Sequence, residues 1–345
     1  MRGILQIRED LKMAKITMAH GSGGGAMHKL IDSVFMRRFS NPILAQKKDS
    51  AIINIGSKEI AFTTDSYVVN PIFFPGGDIG SLAVYGTVND LSVCGAKPLY
   101  ISVGAVIEEG LDRDVLDKIV GSMAAAASRA GVQIVTGDTK VVEHGACDRI
   151  FINTSGIGEV YYRGLSVKNI RDGDCVIVSG PIGDHAISVL SKREGIEFGT
   201  TVKSDAAPLN RMIRKVLLSS EEVRFMRDPT RGGVATTLNE IVSAAKFGIE
   251  AEEPKVPVSQ GVRQACELLG FDPLYLACEG RVIIIAADEA KDDVLKAMRR
   301  DAAGQGGKII GRITKSHPGK VILNTASGGR RIVDMLSGDQ LPRIC

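Results

Sequence analysis

Residues 112–142, DRDVLDKIVGSMAAAASRAGVQIVTGDTKVV, set a helical pattern directly against an extended one. Up to Gly131 the apolar and small residues are mixed with charge as on a helix; beyond it, VQIVTGDTKVV is rich in the residue types that favour strands. The same alternation spreads outward. AIINIG (51–56) and EIAFTTDSYVV (59–69) read as neighbouring strands, GSLAVYGTVNDLSVCG (80–95) as a helix, and RIFINTSGIGEV (149–160) as a further strand. A mixed α/β domain over residues 45–165 accommodates all of them. A polar, glycine-bearing stretch, YYRGLSVKNIRDGD (161–174), then leads into CVIVSG (175–180), which starts a second series. Helices are expected near 184–195, 205–218, 233–247 and 259–269, with strands at 281–287, 308–313 and 320–324. The second α/β domain therefore runs over 166–335, behind an N-terminal segment 1–44 and ahead of a tail, 336–345.

Length and composition agree with two globular domains, since 345 residues with 44% hydrophobic content can bury substantial cores. Lys plus Arg number 43 against 40 Asp plus Glu, without long like-charge runs, so no electrostatic footprint for nucleic acid is present. Apolar stretches such as VIIIAA (282–287) are far shorter than a membrane span, and MRGILQIREDLKMAK lacks a signal-peptide core. The expectation is a cytoplasmic protein that meets neither nucleic acid nor membrane. Cysteines 94, 147, 175, 266, 278 and 345 show no C-x-x-C spacing, which disfavours zinc and disulfides. Five of them fall in apolar or small-residue surroundings where a core thiol belongs; Cys345 ends the tail GDQLPRIC. Pro342 bars a helix there, and residues 336–345 can span roughly 33–36 Å when extended.

Four acids share a setting, each after an apolar run and beside small or turn residues: Asp65 in AFTTDSY, Asp90 in YGTVNDL, Asp138 in IVTGDTK and Asp228 in FMRDPTRGG. One such Asp is ordinarily a cap or turn former, but four oxygen donors without His or Cys suit Mg²⁺ together with phosphate oxygens. Arg231, beside two glycines, offers a guanidinium and exposed amides to phosphate, and Lys140 adds a point charge. Glu279, in YLACEGRVIIIA, either pairs with Arg281 or faces a nearly dry site as a proton acceptor. The glycine-dense HGSGGG (20–25) precedes a helical pattern and can cradle a phosphate or merely connect.

In order along the chain, GSGG, TDSYVV, FFPGGDIG, GTVNDL, EEGL, IVTGDTKVV, FINTSGIG, SGPIGDH, RDPTRGGV, CELLG and the closing PRIC resemble the hydrogenase-maturation HypE family. That family belongs to the ATP-binding superfamily of aminoimidazole ribonucleotide synthetase, selenophosphate synthetase and thiamine-monophosphate kinase. The match runs from about Met18 to Cys345; the first dozen residues fall outside it and receive no role. The resemblance implies a two-domain synthetase-like α/β protomer whose N-terminal domains pair into a barrel in a homodimer, with a flexible C-terminal tail. It implies that Gly21, Ser22, Gly23 and Gly24 cover the phosphates of ATP. It further implies that Asp65, Asp90, Asp138 and Asp228 serve Mg²⁺, and that Asp65, Asp90, Asp138 and Arg231 contact the nucleotide.

By the same resemblance, Cys345 receives a carbamoyl group from the carbamoyltransferase HypF. ATP-dependent dehydration makes it a thiocyanate, and the cyano group passes to iron on a HypC–HypD complex. Glu279 is the candidate base and Lys140 its assistant. The terminal carboxylate beside the Cys345 thiol opposes thiolate formation, so reactivity is expected to arise in the donor's site. Selenophosphate synthetase is the nearest rival, but HGSGGGAMHK lacks the reactive Cys or selenocysteine expected there. A small-molecule kinase or synthetase on this fold leaves PRIC idle, and a nucleotide-sensing scaffold would function without Cys345.

Overall fold

The computed structural model describes residues 15–39, 41–196 and 202–336. The expectations placed on residues 1–12 and on Cys345 lie outside the described residues. The chain enters through α1 (Gly25–Leu30), which continues into a π-helical turn at Ile31–Met36. The first domain contains β1 (Ala51–Ile55), β2 (Lys58–Tyr67), the short hairpin β3 (Phe73–Phe74) and β4 (Gly77–Asp78), and α2 (Ile79–Val93). It continues with β5 (Ala96–Glu108), α3 (Arg113–Ala130), β6 (Gln133–Val142) and β7 (Ile150–Val160). Its five-stranded sheet runs β1-β2-β7-β5-β6, antiparallel throughout except for β5 and β6. That parallel pair follows from the opening stretch, because α3 carries the chain back over the sheet before β6 begins.

The second domain holds β8 (Cys175–Val178), α4 (Asp184–Glu194), α5 (Asn210–Leu217), β9 (Val223–Arg227) and α6 (Gly233–Ala244). After these come β10 (Gly248–Glu252), α7 (Gln260–Leu269), β11 (Ile283–Ala286), α8 (Lys291–Arg299), β12 (Lys308–Thr314), β13 (Val321–Asn324) and β14 (Arg330–Val333). Its seven strands are ordered β14-β13-β10-β12-β8-β11-β9. The helix expected over 205–218 starts only at Asn210. Pro208 disfavours helical geometry at Ala207, and the Leu209 N–H donates to the Asn89 side chain at 2.8 Å instead of joining a helix.

Between the domains lies α2, with every one of its 15 residues buried except Asp90. Asp78 caps it, its side chain accepting the Gly80 and Ser81 N–H groups at 2.8 and 3.0 Å, and Ser122 of α3 donates to the same carboxylate at 2.6 Å. The helix thus has a fixed start, and its one incompletely buried residue is delivered near its far end. Among the described residues no helix is long and apolar enough to cross a membrane.

Candidate active site

Strand alternation places Ala61, Thr63, Asp65 and Tyr67 on the inward face of β2. There they meet Asp90 on α2, and across the domain boundary Asp228, Arg231 and Glu279 complete a cleft of about 230 Å³. Asp228 leaves β9 just ahead of Pro229. Arg231 precedes Gly232 and Gly233, whose positive φ angles of 75° and 62° turn the chain into α6. The Cys278 N–H donates to the Pro229 carbonyl at 3.1 Å, so the turn bearing Glu279 is fixed to the loop bearing Asp228. Arg231 Nη2 lies 3.4 Å from Asp65 Oδ1 and joins the two domains over the opening.

The cleft concentrates carboxylates. Burial pushes the Asp228 pKa up to about 7, with Asp49 and Asp65 adding to the rise and Arg227 opposing it. Burial also raises Asp90 well above its ordinary range, helped by Asp228, Asp65 and Asp49, while a hydrogen bond from Thr63 at 2.8 Å opposes the shift. Glu279, 7% exposed, is raised by burial and then by Asp228, Asp65 and Asp205, against Arg231. Tyr67 stays a neutral phenol because burial and the charges of Asp65, Asp90 and Glu279 disfavour its anion. Its hydroxyl approaches Gly86 so closely that a Cβ there would overlap it, so α2 needs a glycine at this point.

The glycine loop seals one side. Gly23, at φ +81°, lines the cleft with its α-carbon against Arg231; a Cβ there would lie 2.7 Å from the Arg231 Cβ. Gly21, Ser22 and Gly24 form the loop behind it, where the Ser22 hydroxyl donates to the Ala19 carbonyl at 2.9 Å. The Gly25 N–H donates to the Leu336 carbonyl at 3.0 Å, which fixes the root of the C-terminal tail to this loop.

Asp138 and Lys140 stand elsewhere. They form a 3.8 Å ion pair on the edge strand β6, with side chains 73% and 72% exposed, and do not line the cleft of their own chain. Asp49, by contrast, lines it and was missed. The segment KKDSAIINIG shows an acid at a strand entrance, the kind of signal that marked the other acids. Arg227 holds Asp49 at 2.8 Å and Glu240 at 2.8 Å, bracing the wall behind Asp228.

The comparisons with known proteins fit this layout. The model for AIR synthase related protein, N-terminal domain, matches residues 47–160, and that for the C-terminal domain matches 171–324. Carbamoyl dehydratase HypE of Azotobacter vinelandii is 47% identical over 339 residues, covering 98% of this chain and 99% of the relative. The chain belongs to the HypE family. A HypE crystallised with ATP superposes with a TM-score of 0.81 at 48% identity, covering 95% of this chain and 100% of that one. HypE in a HypE–HypF complex gives 0.84 at 48% identity, covering 89% and 99%. The two-domain synthetase-like fold expected from sequence is therefore that of the HypE family.

Proposed function

We propose that this chain is an ATP-dependent carbamoyl dehydratase acting on its own Cys345, in the maturation of nickel–iron hydrogenases. The observation that carries this reading is the root of the tail: Leu336 is hydrogen-bonded to the loop whose Gly23 lines the acidic cleft. A tail of this length, rooted at the cleft's rim, gives its last residue a high effective concentration inside. HypF would be the carbamoyl donor and a HypC–HypD complex the acceptor, all in the cytoplasm.

Dehydration of an S-carbamoyl group needs its oxygen turned into a leaving group. The amide oxygen attacks the γ-phosphorus of ATP, forming an O–P bond as the bond to ADP breaks. Loss of phosphate and of both nitrogen protons then leaves the thiocyanate, with no change in the oxidation state of carbon. Glu279 is the base for the nitrogen proton, because burial and neighbouring carboxylates raise its proton affinity above that of an exposed glutamate. Arg231, beside Asp65 and backed by Gly23, faces the phosphates.

A hard divalent cation fits this donor set: Asp49, Asp65, Asp90 and Asp228 bring oxygen donors to one cleft, and burial disfavours the charges of Asp90 and Asp228. Among the described residues no three His, Cys, Asp or Glu side chains form a metal cluster by themselves, so phosphate and water oxygens would complete the shell. When bound, Mg²⁺ offsets phosphate charge.

The exposed face and edge of the first sheet supply the homodimer. Phe62, Tyr100 and Ile157 are 41–45% exposed, and Val135 and Val141 on β6 are 57% and 67% exposed. Packing these sheets in pairs gives a barrel and carries Asp138 and Lys140 towards the partner's cleft, where Lys140 would offset charge on the transferring phosphoryl group. Mass analysis of the C-terminal peptide after incubation with carbamoyl donor and ATP tests the activity. Gain of one carbamoyl group and then loss of one water supports it, and an unmodified Cys345 in a competent mixture refutes it.

A further inference from the structure

The Asn89 side chain is 1% exposed and belongs to α2 in the first domain, yet its amide bonds to the second domain. Its Nδ2 donates to the carbonyls of Ala207 at 3.1 Å and Glu279 at 3.3 Å, and its Oδ1 accepts the Leu209 N–H at 2.8 Å. Both amide donors and the acceptor are therefore used, each on a backbone atom across the boundary. Glu279 is held from its other side too, since its N–H donates to Asp205 Oδ1 at 3.1 Å. The neighbouring Gly280 is pressed so closely to the Asp205 carbonyl that a Cβ would overlap it. The residue after Asn89 is Asp90, which faces the same cleft.

From this geometry we propose that Asn89 is a positioning residue: it sets Glu279 in register with Asp90 across the domain boundary, and so places the base against the substrate. The inference rests on Glu279 acting as the base. An aspartate keeps the bond from Leu209 but turns a second oxygen towards two carbonyls, and an alanine removes the Asn89 bond to the Glu279 carbonyl. Displacement of a reacting group by about 1 Å is enough to cost on the order of 100-fold in rate, even when substrate binding is little changed.

The test is a double-variant cycle on the full chain, with Asn89→Ala, Glu279→Gln and the pair, measured as single-turnover dehydration of carbamoylated Cys345. Asn89→Ala should lower the rate roughly 10- to 100-fold while the KM for ATP stays within about threefold. On the Glu279→Gln background the same change should cost no more than about threefold, because the group it positions is already disabled. Losses that multiply in the double variant, or an unchanged rate in Asn89→Ala, overturn the proposal while Glu279→Gln remains impaired. If Glu279→Gln itself keeps its rate, the base reading fails and takes the proposal with it. Asn89→Ser, small and uncharged, guards against loss of fold. If neither variant binds ATP, Asn89 is a structural residue and the positioning role is refuted.

Discussion

Replacing Asp228 with asparagine should make the ligand-free protein more stable at pH 8, although it removes a residue of the candidate active site. Asp228 is 9% exposed, and its pKa rises from 3.8 to about 7 through burial and the nearby charges of Asp49 and Asp65. At 1.36 kcal/mol per unit that is a penalty of about 4 kcal/mol on the ionised folded state, a ceiling because neighbouring groups relax. Between pH 4 and 7 the folded chain binds more protons here than the unfolded chain. This group's contribution therefore lowers stability as pH rises through that window and levels off above it. An asparagine of the same shape carries no such penalty. Asp228→Asn should gain about 1–3 kcal/mol at pH 8, with roughly a third of that gain at pH 5. Thermal and urea unfolding at both pH values measure the difference. Saturating Mg·ATP should reverse the order, because the parent gains binding energy that the variant cannot. A variant less stable than the parent at pH 8, or a gain equal at both pH values, would show that the buried Asp228 charge carries no such penalty.

Gly23→Ala should weaken ATP binding roughly 5- to 30-fold, because the left-handed backbone costs about 1–2 kcal/mol before the encounter with Arg231 is counted. Gly173→Ala, at φ +88° with open space around it, is the control for backbone strain and should leave the KM for ATP unchanged. For the dimer, Lys140→Ala and Asp228→Asn should each be inactive alone. Subunit exchange between them should restore activity, because mixed dimers possess one cleft with neither change; absence of recovery after verified exchange would place Lys140 in its own chain's cleft.

Where a local pattern dictates local structure, the sequence was readable. Residues 112–142 fold as helix and strand because Gly131, at φ +74°, stops the helix and the residues beyond it favour extension. Asp65, Asp90 and Asp228, singled out by their setting beside small or turn residues, line one cleft together with Glu279, whereas Asp138, read from the same setting, does not. What remained hidden depends on other parts of the chain. The strands β9, β10 and β14 and the helix α8 carried no recognised signal, and the backbone of 205–209 is governed by Asn89 and Pro208 rather than by its own propensity. Asp138 and Lys140 repeat the motif's chemistry but lie on the exposed edge strand β6, a placement set by the order of strands in the sheet rather than by their local sequence.

In the proposed reaction the tail of this chain is the substrate of its own cleft. The most direct measurement starts from protein carbamoylated at Cys345 and freed of donor, and follows the mass of the C-terminal peptide and ADP release in one turnover. With ATP and Mg²⁺ that peptide should lose one water for each ADP formed, and none with ADP alone. ATP cleavage that leaves the carbamoyl group intact, or water loss without ATP, would contradict the proposed reaction.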